Sequence, residues 1–187
     1  MNAGDHIKQI LEKIMEIREE KTESKALENH IKRMDDEKFD YIIARLNKQI
    51  EIVEKYNPKI RPAIDPMVSS ELGIYRRLDD YELGELLDYP KCCIISFSEN
   101  ARFGIDRDHL KEIDEMNIDE NTYAIILPSG FIPCSLKCKE AWNRKLMAFV
   151  TYEDYLNITK LEDELFKELP HFHGAYDEYY EKIILKK

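Results

Sequence analysis

No run of apolar residues in the chain approaches the roughly 20 needed to cross a bilayer, so a membrane-spanning helix is not expected. The first residues, with Asp5 and His6 ahead of an amphipathic pattern, lack the layout of a secretory signal, and the expected compartment is the cytoplasm. Basic residues are outnumbered, 28 against 38 acidic ones, and the resulting net charge of −10 repels phosphate backbones. The densest local exception, Lys137, Lys139, Arg144 and Lys145, is too small to make nucleic acid an expected partner. Glutamine is nearly missing, with Gln9 and Gln49 alone, while Lys, Glu and Ile abound, a bias that resembles thermophile proteomes. Ser129-Gly130 lacks the flanking glycines of a nucleophile elbow or a phosphate loop, and no dinucleotide fingerprint occurs. Internal repeats and low-complexity segments are also missing.

What is present is a chain of 187 residues, 43% hydrophobic, long enough for one globular domain with a helical appendage. Ile7, Ile10, Leu11, Ile14 and Ile17 fall at helical spacing over residues 5–20. Leu27, Ile31 and Met34 continue a helical stripe, and Asp36 can cap a second long helix bearing Phe39, Ile42, Ile43, Leu46, Ile50 and Val53. Such stripes usually pack into their own chain's core, yet an amphipathic pair of this kind also suits a homodimer interface. Pro58, Pro62 and Pro66 punctuate residues 57–67 and suggest a linker. The expected division is therefore an N-terminal amphipathic helical segment at 1–60 and a compact domain at 61–187.

In that second part, Asp79 or Asp80 caps a short helix with Leu83, Leu86 and Leu87. Pro90 opens another helix that Gly104 ends, and Asp106 or Asp108 begins a third. Thr122 to Leu127, β-branched and aromatic, reads as a buried strand closed by Pro128-Ser129-Gly130. A helix is expected from Pro133 through Trp142, Leu146 and Phe149, another around Leu161 to Leu169, and the tail through Ile183 and Ile184 fits either helix or edge strand. The expected fold class is α+β, predominantly helical with a small sheet, the N-terminal helical segment packed on or beside the cysteine-bearing part.

All the cysteines lie in two stretches, Tyr89-Pro90-Lys91-Cys92-Cys93 and Pro133-Cys134-Ser135-Leu136-Lys137-Cys138. Helix N-termini and the nearby Lys91, Lys137 and Lys139 favour thiolate, the form that ligates metal or attacks disulfides. At i and i+4 on a helix, Cys134 and Cys138 would stand roughly 5–6 Å apart at Cβ and could converge on one ion. Cys92 and Cys93, about 100° apart if helical, would share that ion only where the backbone is not yet helical. The Cys-x2-Cys knuckle of zinc ribbons is absent. Zinc, an iron-sulfur cluster, a disulfide between the stretches and reduced core thiols all remain open. His171 and His173 are further candidate ligands, Tyr176, Tyr179 and Tyr180 a candidate aromatic patch, and the carboxylates single out no acid–base pair.

The run from Leu83 through Tyr89-Pro90-Lys91-Cys92-Cys93 to Phe97, followed some 40 residues later by Ile132-Pro133-Cys134-Ser135-Leu136-Lys137-Cys138, resembles the signature of a largely archaeal domain-of-unknown-function family. That signature reads Gly-Tyr-Pro-x-Cys-Cys-x-x-x-Phe and then His-x-Pro-Cys-Ser-x-x-Cys, and the resemblance covers about residues 70 to 150. Asp88 stands where glycine is common, and Phe131 or Ile132 where a histidine often precedes the proline. The resemblance implies that the cysteines form one motif and implies no activity. The leading expectation is a metal or iron-sulfur site at Cys92, Cys93, Cys134 and Cys138. The alternatives are a disulfide-stabilised interaction protein dimerising through its N-terminal helices, and a thiol enzyme in which a vicinal cysteine attacks a small anionic substrate.

Overall fold

The computed structural model describes residues 2–19, 25–172 and 178–185. Ten helices and three strands follow one another among them: α1 (Asp5–Glu19), α2 (Ala26–Arg33), α3 (Asp36–Tyr56), α4 (Pro66–Leu72), α5 (Ile74–Arg77), α6 (Asp80–Leu86), α7 (Lys91–Ser98), α8 (Arg107–Glu115), β1 (Ala124–Pro128), α9 (Lys139–Asn143), β2 (Ala148–Val150), α10 (Tyr152–Glu168) and β3 (Tyr180–Ile184). The α+β class with a predominance of helix is as expected. No helix among the described residues is long and apolar enough to cross a membrane.

The N-terminal stripes turn inward. Ile7, Ile10, Ile14 and Ile17 of α1 bury against Leu27 and Ile31 of α2, Ile42 and Leu46 of α3, and Val68 and Leu72 of α4. Each helix start has a local cause: the Asp35 side chain accepts from Lys38 N–H at α3, and Asp79 caps α6 with Glu82 returning the bond. Arg18 closes α2 by donating to the carbonyls of Ile31 and Met34 at 2.8 and 2.6 Å. Beyond α3, which Asn57 ends with φ +44°, most of the proline-punctuated stretch is buried, including Ile60, Arg61 and Asp65. Gln49 staples it, donating to Ala63 O at 2.8 Å and accepting from Asp65 N–H at 3.0 Å. Arg45 anchors the same stretch with a two-point bond to buried Asp65, at 2.6 and 3.0 Å, while its remaining N–H groups reach Leu169 O, Pro170 O and the Tyr41 hydroxyl.

The sheet positions the site. Its order is β2-β1-β3, both pairings antiparallel, with Ile125 opposite Phe149 on one side and Ile183 on the other. Central β1 is buried at every residue. Because side chains alternate along a strand, Ala124 and Ile126 face Ile158, Leu161 and Leu165 of α10, whereas Ile125 and Leu127 face Cys93, Phe131 and Leu136. The tail adopts the edge-strand form of its two expected conformations. Tyr179 and Tyr180 are core residues, and Tyr176 lies outside the described residues.

Two expected helices differ. The one begun at Pro90 ends at Ser98, six residues before Gly104, with Ala101 at φ +52° already in the following loop. The helix expected from Pro133 to Phe149 is replaced by a loop at 133–138, the short α9, and β2. The reason is visible in the backbone groups. Pro133 O accepts from His109 Nε2 at 2.7 Å, Leu136 O from Trp142 Nε1 at 2.7 Å and Cys134 O from Arg102, while Leu136 N–H donates to Glu112 at 2.6 Å. Groups held this way are not free to build an i→i+4 ladder.

Candidate metal centre

Both cysteine stretches lie on the Ile125–Leu127 face of the sheet and meet through a pair of aromatics. Tyr89 and Phe131, each three residues before its first cysteine, pack with ring centroids 4.8 Å apart. After Tyr89, Pro90 caps α7, so Cys92 and Cys93 occupy the first helical turn. After β1, Gly130 at φ +82° and the Phe131 N–H to Pro128 O bond reverse the chain. The loop 133–138 then crosses the start of α7, and Cys138 caps α9.

The four sulfurs lie within 4.8 Å of one another. Cys92 Sγ and Cys93 Sγ stand 3.6 and 3.8 Å from Cys138 Sγ, and Cys93 Sγ accepts the Cys134 N–H at 3.4 Å. Two parts of the expected geometry are corrected. Cys134 and Cys138 are not an i, i+4 helical pair, for the reason given above. Cys92 and Cys93 are both helical and still converge, since the loop brings its sulfurs over the open end of α7, where side chains of the first turn reach beyond the helix. Exposure grades the set: Cys93 is buried, Cys134 and Cys138 are half-buried, and Cys92 is exposed.

As thiols, the cysteines do not all follow the expected drift toward thiolate. Burial pushes Cys93 well above its ordinary range, and burial with the neighbouring sulfurs pushes Cys134 up to about 12. Burial also opposes ionisation of Cys138, but the Ala141 N–H at the start of α9 and the adjacent thiols outweigh it and bring Cys138 below its ordinary value. Four sulfurs at this spacing repel one another when ionised, and a bound cation supplies the opposing charge.

Around the sulfurs is a shell that the residue pattern did not reveal. Helix α8 grips the loop along one face: His109 holds Pro133 O, Glu112 accepts from Ser135 Oγ at 2.8 Å and from Leu136 N–H, and Glu115 pairs with Lys137. The buried His109 ring is held at both nitrogens, Nδ1 lying 3.1 Å from the Asp106 N–H and Nε2 2.7 Å from Pro133 O. Arg102 clasps Asp106 through Nε and Nη2 at 2.6 and 2.8 Å and reaches Cys134 O with Nη1. The one available signal was His109 and Glu112, three residues apart on a helix beside the motif.

The first stretch has its own brace. Asp88 has φ +53°, a conformation glycine takes freely and Asp tolerates, and Arg144 donates to its carboxylate at 2.9 Å. Buried Arg61 donates to the carbonyls of Leu87 and Asp88 at 2.9 and 3.0 Å. Arg144 thus ties the end of α9 to the residue that precedes the first stretch, and two members of the small basic patch, Arg144 and Lys137, are engaged by carboxylates. Of the two candidate histidines, His171 is not part of the cluster. His171 packs on Phe166 and Tyr179, which belong to the opposite face of the sheet, and His173 lies outside the described residues.

A family profile described as "Protein of unknown function (DUF483)" matches residues 46–166, a span holding all four cysteines and α8. Two archaeal proteins are similar over almost the whole chain. An uncharacterized protein of Methanocaldococcus jannaschii is 55% identical over 183 residues, 96% of this chain and 99% of its own. An uncharacterized protein of Methanothermobacter thermautotrophicus is 53% identical over 180 residues, 96% and 98% of the respective chains. No solved structure matches the chain.

Proposed function

The chain belongs to the DUF483 family of proteins of unknown function, and from that premise we propose that it is a metal-binding protein whose Cys92, Cys93, Cys134 and Cys138 hold a single ion, zinc foremost. The spacing of the sulfurs carries the reading. Four sulfurs at about 2.3 Å from one zinc stand about 3.8 Å from each other, and Cys138 meets Cys92 and Cys93 at 3.6 and 3.8 Å. The remaining separations, none above 4.8 Å, close with small side-chain rotations. A cluster of several irons would hold its cysteines further apart, so the spacing favours a mononuclear centre, zinc or a single iron, over an iron-sulfur cluster. The surrounding hydrogen bonds fit the same reading, because outer partners fix a ligand loop before the metal arrives.

In this role the ion cross-links the start of α7 to the 133–138 loop, two stretches over 40 residues apart in the chain, and stabilises the fold by its binding energy. The test is elemental analysis of anaerobically purified protein beside the Cys93→Ser and Cys138→Ser variants. Near-stoichiometric zinc or iron in the parent, lost in both variants, is expected. A metal-free parent whose peptide map contains a Cys92–Cys138 or Cys93–Cys138 disulfide would replace the metal with a cross-link.

A further inference from the structure

The four sulfurs are unequal in a way that metal binding alone does not use. Cys93 accepts the backbone N–H of Cys134 at 3.4 Å. Among the described residues, the Cys92 sulfur is hydrogen-bonded only to other sulfurs of the cluster, and it is the exposed member. Cys92 also lines a cleft of about 720 Å³, together with half-buried Cys134, Ser96, Asn100, Arg102 and Phe103. That volume lies within the range of sites for small organic ligands, ~300–1,000 Å³. The Phe103 ring, packed edge-on to Phe97 at 5.0 Å, is 63% exposed on the cleft's rim.

Resting on the tetrathiolate reading, we infer that Cys92 is an alkyl acceptor, taking an alkyl group from a small uncharged or cationic donor bound in this cleft. Four thiolates around a divalent ion carry a net charge of −2, which keeps the sulfurs electron-rich. N–H donors draw electron density from a thiolate, so Cys93, which accepts one, is the poorer nucleophile, and of the other three Cys92 is the one exposed to an incoming donor. In the step, Cys92 Sγ attacks the donor's sp³ carbon, the S–C bond forms as the bond from carbon to the leaving group breaks, and the leaving group departs with the electron pair. The product is a thioether at Cys92, and the net charge of the centre falls to −1. No oxidant or reductant takes part. The charge of the centre, within a chain of net charge −10, disfavours anionic donors.

The test treats zinc-loaded protein with iodoacetamide or with iodoacetate, measures bound zinc in the same sample before reaction, and maps the modified cysteine by peptide mass spectrometry over time. Cys92 is expected to react first, about ten times faster than any other cysteine, with a preference for the neutral reagent larger than glutathione shows. The Cys92→Ser variant, its bound zinc measured in the same way, is expected to lose the fast phase. Absence of metal in the parent would overturn the tetrathiolate reading and this one with it. Bound metal with Cys92 inert, or modified no faster than its neighbours, would overturn this one alone.

Discussion

Glu112 offers a deep test of the idea that α8 presets the cysteine loop. Its two oxygens accept from Ser135 Oγ at 2.8 Å and Leu136 N–H at 2.6 Å, and Leu136 itself is fully buried. Hydrogen bonds to a charged group each contribute about 1.5–3 kcal/mol, and Glu112→Ala removes two of them. Relaxation of the half-buried Ser135 hydroxyl toward water recovers part, leaving a net loss of about 2–4 kcal/mol in folding stability. If about half of that loss falls on the geometry of Cys134 and Cys138, zinc affinity drops roughly 5–30-fold, overlapping the roughly 10–100-fold range for removal of an outer-shell partner. Glu112→Gln is milder: its carbonyl can accept from Leu136 N–H while its amide donates to the Ser135 hydroxyl, which rotates to accept. Only charge assistance is lost, and a drop of about threefold is expected. Chelator competition on parent and variants, with circular dichroism as the folding control, makes the measurement. A Glu112→Ala variant that folds and binds zinc within about threefold of the parent would refute the claim that α8 organises the loop.

Three further outcomes follow. Burial, and next the charge of Arg61, push the His6 imidazole down to about 3 from an ordinary 6.5. The unfolded chain therefore binds the extra proton between those values. Its contribution to stability is complete above about pH 6.5 and is lost toward pH 3 by up to about 1.4 kcal/mol per unit; urea denaturation from pH 7 to pH 4 should show the slope, and His6→Asn should flatten it. Arg45→Met leaves the Asp65 carboxylate, 0% exposed, without its partner, and should cost about 3–5 kcal/mol in urea denaturation. Gly84→Ala would set a Cβ 2.5 Å from Ile94 Cγ1, pressing α6 against the cysteine helix. The overpacking, about 1–3 kcal/mol, should be relieved in the Gly84→Ala/Ile94→Ala double variant, seen as favourable coupling in a thermal-melt cycle.

Local rules made much of the frame legible. The stripes of α1 and α3, the capping by Asp79 and Asp106, and the apolar run of β1 need only neighbours within a turn or a strand. The cap of α3 fell one residue earlier than expected, on Asp35. The cysteines were legible as one constellation, and their internal geometry was not. Pro133 to Cys138 carries no local signal against helix, and what holds it open arrives from His109, Glu112, Arg102 and Trp142. Tertiary contacts of this kind override local preference. The drift of Cys93 and Cys134 away from thiolate had the same origin, since burial cannot be read from Lys91, Lys137 and Lys139 beside them.

X-ray absorption at the metal K edge of the anaerobically purified protein bears most directly on the central claim. The account predicts a near-stoichiometric ion with four sulfur neighbours at about 2.3 Å and no second metal nearby. A shell containing nitrogen or oxygen in place of one or more sulfurs, a metal–metal distance of a cluster, or no bound metal would contradict it.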